Sequence, residues 1–273
     1  MKKSAIIATL IFSTAIIGTG VYLGFNDSVP PKGQDGGTAM PTDIPPSTDQ
    51  AKETATPTET ADIAPKQDLE QTKQTVAKHS VPFILQAPGA KWGNPIFQDG
   101  CEEASMLMAI AWIRGTKSVS PTTAADDITK LAAFEVGRFG HHEDIDVSEI
   151  LTVLREYFQY DQAKLLENTT LDDLKTQFAD GNIILTPTYG AALGNPNFKA
   201  PGPVTHMLVL TGYDPKTDEF IVNDPGTRRG QNYRYKASVL FDAIWAFPPG
   251  AKHPPAPASA SRKKSVIVIH PYS

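Results

Sequence analysis

The segment from residue 26 to residue 80 contains no Phe, Trp or Tyr and is rich in Pro, Thr, Asp, Lys and Gln. A segment of this composition cannot bury enough apolar surface to offset the entropy that it would lose on folding. The hydrophobic core must come from the residues after it, and the stretch 81–250 is long enough to form one. We interpret 26–80 as a disordered linker, 81–250 as the folded domain and 251–273 as a Pro/Ala/Ser-rich basic tail.

Composition and charge narrow the class of protein. Of all residues, 40% are hydrophobic and 20% are charged, which fits a globular protein. These fractions exclude a polytopic membrane protein, a collagen-like chain and a fully disordered one. Residues 81–250 carry fourteen Lys and Arg against 21 Asp and Glu. An acidic domain offers no basic surface to a phosphate backbone, so we expect no nucleic-acid partner.

The N-terminus carries an apolar run behind two lysines. Residues 5–25 contain no charged side chain, and Lys2 and Lys3 precede them. A run of this length can cross a hydrocarbon core of about 30 Å as a helix, with the lysines on the cytoplasmic side. The prediction is a single-pass anchor in the cell membrane with the domain extracytoplasmic. The alternative is a signal segment cleaved near Gly18-Thr19-Gly20, which would release a secreted protein.

Hydrophobic periodicity predicts helices first and strands later in the domain. Helices are expected at 101–114, from Pro121 onward, and at 147–160, 171–180 and 237–245. Strands are expected at 81–85, 183–189, 206–213, 219–223 and 232–235. The run 266–269 could add an edge strand or stay loose. This order indicates an α+β fold in which an N-terminal helical part packs on a mainly antiparallel sheet.

Cys101 is the one cysteine of the chain, so internal disulfides and cysteine-rich zinc sites are excluded. It follows Gly100 and opens the first predicted helix, where unpaired N–H groups lower the pKa of a thiol and can hold an oxyanion. The adjacent acids Glu102 and Glu103 would raise that pKa. Cys101 is therefore either a buried apolar side chain or a nucleophile that needs a basic partner.

His206 is the candidate for that partner. It begins an apolar strand, and Asp224 ends the next one, with a turn centred near residue 216 between them. If the two strands form a hairpin, the two positions lie opposite each other to within about two residues, and facing residues are about 5 Å apart. An Asp at that distance can hold a His ring and fix its tautomer, as in a catalytic triad. The pattern predicts a constellation of Cys101, His206 and Asp224.

Four segments of the domain are informative together, namely VPFILQAP, QDGCEEAS around Cys101, THMLVLTGYD around His206, and IVNDPG around Asp224. These segments resemble the C39-like cysteine peptidases, a family that shares the papain-like fold. The resemblance extends over about residues 80–248. It implies a papain-like α+β fold in which Cys101 is the nucleophile, His206 is the base and Asp224 orients the base.

The resemblance also implies a glutamine, upstream of the nucleophile, that donates to the oxyanion. Gln98 lies three residues before Cys101, and Gln86 lies fifteen before it. We take Gln98 as the candidate and keep Gln86 as the alternative. Many members of the family have glycine directly after the nucleophile, where this chain has Glu102 followed by Glu103. Because these two acids disfavour a thiolate at Cys101, a catalytically inactive binding module remains an alternative.

The sequence thus predicts a membrane-tethered, extracytoplasmic cysteine peptidase that hydrolyses peptide bonds through a Cys-His-Asp triad. The alternatives are an amidase or acyltransferase that acts on cell-wall peptides with the same triad, and a catalytically inactive envelope binding module. We expect a monomer with a peptide or protein substrate and with no metal or organic cofactor. The segment His141-His142-Glu143-Asp144 is interpreted as a solvated loop, because adjacent histidines rarely face one ion.

Overall fold

The elements of secondary structure follow the predicted order, with most helices before most strands. The computed structural model describes residues 76–250 and 252–272. In chain order these residues form β1 (Ala77–Lys78), α1 (Pro95–Gln98), α2 (Cys101–Ile113), α3 (Pro121–Phe139), α4 (Val147–Glu156), β2 (Ala163–Leu166), α5 (Leu171–Ala179), β3 (Ile183–Tyr189), β4 (Thr205–Asp214), β5 (Glu219–Asn223), β6 (Tyr233–Lys236), α6 (Ala237–Ala243) and β7 (Val266–Ile269).

The strands form one antiparallel sheet with helices on both faces. The strand order is β2-β7-β3-β4-β5-β6, each neighbouring pair is antiparallel, and β1 pairs with one end of β4. Successive side chains of a strand point to opposite faces. Met207 and Val209 of β4 therefore join the core under α2, α3 and α4, whereas Leu208 and Leu210 join the core under α5 and α6. The predicted α+β class with a mainly antiparallel sheet is confirmed.

The starts of the helices agree with their sequence signals. Helix α2 begins at Cys101 and is buried around nearly its whole circumference, which places it in the middle of the helical layer. The hydroxyl of Ser120 accepts from the N–H of Thr123 at the start of α3, and Thr170 caps α5. Helix α4 ends at Glu156, earlier than predicted, and Gln159 adopts a positive φ of 57° that turns the chain toward β2.

The predicted strand at 81–85 is wrong. Pro82 has no N–H to donate to a neighbouring strand, and the carbonyl oxygen of Val81 accepts from the side chain of Asn223 at 3.1 Å. The sequence left the run Val266–Ile269 open, and it is an interior strand that pairs with both β2 and β3. All four of its side chains are buried, which accords with its continuous apolar character.

The predicted membrane anchor at residues 5–25 and most of the predicted linker lie outside the described residues. Within 76–250 and 252–272, none of the helices combines the length and the apolar character that crossing a bilayer requires.

Candidate active site

Cys101 is the first residue of helix α2 and directly follows the loop that leads into the helix. Gly100 is the N-cap, and a Cβ at this position would lie 3.1 Å from the carbonyl oxygen of Ile96 and 3.4 Å from that of Gln86. A glycine lets both segments pack against the start of the helix without displacement. The packing brings Gln86 and helix α1 next to the cysteine.

His206 and Asp224 form a buried pair where β4 begins and β5 ends. The ring Nε2 of His206 lies 2.8 Å from Oδ1 of Asp224, and both side chains are almost fully buried. In this hairpin Val209 pairs with Asn223, and a bulge after Leu210 shifts the register by one residue. Positions 206 and 224 therefore lie within two residues of direct opposition, as the sequence predicted.

Four donors hold the carboxylate of Asp224. Oδ1 accepts from His206 and from the N–H of Gly226 at 3.0 Å, and Oδ2 accepts from the hydroxyl of Tyr235 at 2.7 Å and the amide of Asn195 at 3.3 Å. Burial by itself raises the pKa of Asp224, but the charge of His206 and these hydrogen bonds outweigh it, so the pKa is lowered. Asp224 is a buried carboxylate that stays ionised and can stabilise an imidazolium.

Cys101 and His206 line the same cleft, which has a volume of about 1370 Å³. The backbone N–H of Met207, the residue after His206, donates to Sγ of Cys101 over 3.4 Å. Because Nε2 of His206 is held by Asp224, Nδ1 is the ring nitrogen that can exchange a proton with the thiol. The structure thus brings two of the predicted residues to one cleft and places Asp224 directly behind His206.

The thiol of Cys101 is held in its neutral form. Burial raises the pKa of Cys101 well above its ordinary value, and the charge of Glu102 raises it further. Sγ also donates a hydrogen bond to Oε2 of Glu102 over 3.0 Å, whereas the N–H of Met207 lowers the pKa by less. The prediction that the thiol pKa of Cys101 is lowered is therefore wrong for the site without substrate.

The two acids after Cys101 are fully buried. Burial raises the pKa of Glu102 well above its ordinary value, and the charges of neighbouring acids, first that of Glu103, raise it further. Since α2 is enclosed on nearly all sides, its first turn has no solvent-facing position for either carboxyl group. The acids therefore belong to the interior behind the cleft.

The prediction of a solvated loop at residues 141–144 is also wrong. His141 and Asp144 are buried, and Nδ1 of His142 lies 3.3 Å from Oε1 of Glu103. Gly140 ends α3 in the left-handed conformation with a φ of 85°, which reverses the chain. The reversed segment packs over the first turn of α2 instead of extending into solvent.

Gln86 and Gln98 both line the cleft, but their side chains are held differently. The amide of Gln86 is buried and donates to the carbonyl oxygens of Gln98 at 2.8 Å and Phe97 at 3.3 Å. Gln98 is exposed, and its amide donates to the carbonyl oxygen of Trp92 at 3.0 Å. Oxyanion donors act through preorganisation, which favours the buried amide, but an oxyanion would have to displace one of the two carbonyl oxygens that this amide now binds. The choice of Gln98 stays a prediction, and the geometry favours the alternative, Gln86.

Replacing each glutamine separately distinguishes the two donors. We expect Gln86→Ala to lower kcat for peptide hydrolysis by about 10²- to 10³-fold with a smaller change in KM, because a donor acts mainly on the transition state. We expect Gln98→Ala to lower kcat by less than about tenfold, since an exposed side chain is poorly preorganised. Steady-state kinetics measure both effects, and melting curves check that each variant is folded. A larger loss for Gln98→Ala would instead identify Gln98 as the donor.

The residues that support Asp224 could not be predicted from local sequence. Asn195 comes from the loop before β4 and Tyr235 from β6, so their contacts with Asp224 exist only once the strands have paired. Gly226 carries a clearer signal, because it closes the segment IVNDPG. A Cβ at Gly226 would lie 2.8 Å from Cε1 of His206, so glycine leaves room for the imidazole.

Comparisons with known proteins identify a family of peptidases. Residues 78–246 match the model of the Peptidase_C39 like family. Among solved structures, a crystal structure of a Bacillus anthracis protein classed as a C39-like peptidase matches at 17% sequence identity and a TM-score of 0.44. The match covers 73% of this chain and 99% of the other. No curated protein matches the chain. The range matched by the family contains Cys101, His206 and Asp224.

Proposed function

The chain belongs to the Peptidase_C39 like family, and we propose that it hydrolyses peptide bonds through a triad of Cys101, His206 and Asp224. The family makes the protein a cysteine-type peptidase or hydrolase with a peptide or protein substrate. The observation that most strongly supports the triad is the buried 2.8 Å contact between His206 and Asp224, beside the cleft that also holds the thiol of Cys101.

In the proposed first step, Sγ of Cys101 attacks the carbonyl carbon of the scissile bond. The thiol proton passes to Nδ1 of His206, and the carboxylate of Asp224 stabilises the imidazolium that forms. The protonated resting thiol fits general-base activation, in which proton transfer accompanies attack. Glu102 would lose its hydrogen bond from Sγ at the same moment.

The oxyanion forms beside the start of α2. The backbone N–H of Cys101 has no partner one turn earlier in the helix, so it can donate to the oxyanion together with a glutamine amide. His206 then returns its proton to the leaving amine, and the acyl group stays on sulfur as a thioester. Water, deprotonated by His206, hydrolyses the thioester and regenerates the thiol.

We further propose that the enzyme acts outside the cell as a membrane-tethered monomer. The support for this location is the uncharged run at residues 5–25 behind Lys2 and Lys3, followed by the long aromatic-free linker. The linker would hold the domain away from the bilayer. An acidic domain would remain soluble next to an anionic membrane surface because the two repel each other.

The experiment that tests this function combines cell fractionation with product analysis. Bacterial cells that express the full chain are separated into cytosol, membranes and medium, and each fraction is incubated with a peptide mixture. We expect hydrolysis in the membrane fraction, which resists salt and alkaline extraction and is lost when intact spheroplasts are treated with protease. Mass spectrometry should show pairs of product peptides with new carboxyl and amino termini, and the masses of each pair should sum to the mass of the substrate plus water.

Other outcomes of this experiment distinguish the alternatives. Products joined to an added amine, or loss of side-chain amides without backbone cleavage, would show an acyltransferase or an amidase. If the medium contains a shortened form of the protein that hydrolyses peptides, residues 5–25 are a cleaved signal and not an anchor. Activity confined to the cytosol would contradict the proposed location while leaving the triad intact.

A further inference from the structure

A second cluster of ionisable side chains lies behind the first turn of α2, outside the lining of the cleft. Glu103 of α2, Glu135 of α3 and His142 of the following loop each place one nitrogen or oxygen atom within 4.8 Å of the others. Both glutamates are fully buried, and 12% of the His142 side chain is exposed. The catalytic steps proposed above do not use any of the three.

Local structure explains how these groups meet. The inward face of α3 presents Ala124, Ile128, Leu131 and Ala132, and Glu135 occupies the next position on that apolar face. The reversal at Gly140 returns the chain so that the imidazole of His142 approaches Glu103. An acid at a core position of α3 therefore faces an acid at a core position of α2.

The polar atoms of this cluster lack hydrogen-bond partners among the described residues. Both carboxylate oxygens of Glu103, both of Glu135 and Nδ1 of His142 are buried and unpaired. Nδ1 of His142 and Oε1 of Glu103 are 3.3 Å apart and form an ion pair when His142 is protonated, which leaves the carboxylate of Glu135 without a compensating charge. Buried carboxylates require a compensating charge or a donor. One atom of each of the three side chains lies within reach of a common centre.

We propose that Glu103, Glu135 and His142 bind a transition-metal ion of the zinc type. Ligand atoms about 2.1 Å from a tetrahedral Zn²⁺ are about 3.4 Å from each other, close to the spacing of Nδ1 and Oε1. The remaining ligand atom has to move by no more than about 1.5 Å to reach the same spacing. Water or the second oxygen of a carboxylate completes the coordination.

The donor set decides the class of ion. An imidazole nitrogen with two carboxylates suits Zn²⁺ and its neighbours in the first transition row, whereas Mg²⁺ and Ca²⁺ prefer oxygen ligands alone. The partly exposed edge of His142 provides the route from solvent. The ion would join α2, α3 and the loop after α3 two residues from Cys101, so its expected role is to hold the start of the nucleophile helix in place. This proposal departs from the sequence-based expectation that the chain has no metal site.

The test is metal binding by the full chain in a Cys101→Ala background, which prevents the thiol from binding the probe. After treatment with a chelator, Zn²⁺ is titrated and followed by calorimetry and by melting. We expect one Zn²⁺ per chain and a rise in Tm of about 5–15 °C when Zn²⁺ exceeds Kd about 1,000-fold. Mg²⁺ at the same concentration should leave Tm unchanged.

Three further substitutions locate the ion. Glu135→Gln and His142→Gln should weaken Zn²⁺ binding by at least about 100-fold, since loss of even an outer-shell partner costs about 10- to 100-fold. His141→Gln is the matched control, because this adjacent buried histidine lies outside the cluster and faces Glu149. It should bind Zn²⁺ like the parent chain.

The sign of the effect on the metal-free protein separates ligand loss from misfolding. Without metal, Glu135→Gln should melt at or above the parent temperature, because it removes one of two facing buried acids. If the parent chain does not bind Zn²⁺ stoichiometrically, the proposal is overturned. The alternative is then that Glu103 and Glu135 share a proton instead of a metal ion. Equal Zn²⁺ binding by the parent and by Glu135→Gln would overturn it as well.

Discussion

Replacing Cys101 by Ser is expected to lower kcat/KM for peptide hydrolysis by at least about 10⁴-fold, since removal of a triad nucleophile in subtilisin costs about 10⁶-fold in kcat. The serine hydroxyl retains the shape of the site and the hydrogen bond to Glu102. It is a far weaker nucleophile at neutral pH, and His206 removes the proton of a hydroxyl less readily than that of a thiol. The melting temperature should change little. Hydrolysis of a peptide found in the product analysis above measures the loss.

Ser105→Ala is the matched control for this substitution. Ser105 lies about one turn further along α2, is fully buried, and its hydroxyl has no hydrogen-bond partner among the described residues. Its replacement removes one atom from the same helix without removing an interaction, so activity should stay close to wild type. Full activity of Cys101→Ser together with an unchanged melting temperature would show that Cys101 is a buried apolar residue and that the triad is wrong.

The second large effect concerns His206 and Asp224. We expect His206→Ala to lower kcat by about 10³- to 10⁴-fold, because the proton acceptor is lost. We expect a milder loss of about 10- to 10³-fold for Asp224→Asn, since an amide retains the shape and orients the ring but cannot stabilise the imidazolium by charge. Both losses should appear in kcat more than in KM. Steady-state kinetics on the same peptide measure them.

His79→Ala is the control for loss of an imidazole elsewhere in the fold. His79 packs edge-on against Trp112 with ring centroids 5.3 Å apart and does not line the cleft. Its replacement should leave kcat near the wild-type value. An Asp224→Asn variant with full activity would remove Asp224 from the mechanism. A His206→Ala variant that hydrolyses peptides at the wild-type rate would show that His206 is not the base that activates Cys101.

The parts of the fold that could be predicted are those where local sequence and tertiary structure agree. The start of α2 at Cys101 follows from Gly100 and the apolar pattern after it, and the start of α3 follows from Ser120 and Pro121. The hairpin of β4 and β5 follows from two apolar runs around one turn. Its register places Asp224 near His206 because strand pairing converts sequence distance into spatial distance.

Features that depend on contacts distant in the sequence could not be predicted. The support of Asp224 by Tyr235 appears only when β6 joins β5, and the interior place of β7 depends on strands more than 75 residues earlier. The burial of Glu102 and Glu103 contradicts the usual preference of charged side chains for solvent. Burial of Cys101 itself raises the pKa of its thiol, and the charge of Glu102 raises it further, so the shift is opposite to the one expected from the helix start.

The central claim is that His206 activates the single cysteine within a folded cleft, and covalent trapping tests it most directly. The full chain is incubated at neutral pH with a peptide that carries a thiol-reactive epoxide, and intact mass and peptide mapping follow the adduct over time. We predict one adduct per chain on Cys101 for the wild type, and a rate at least about tenfold lower for His206→Ala, because the base no longer accepts the thiol proton. A thiol that reacts only after denaturation, or reacts equally fast in both proteins, would contradict the account and favour an inactive binding module.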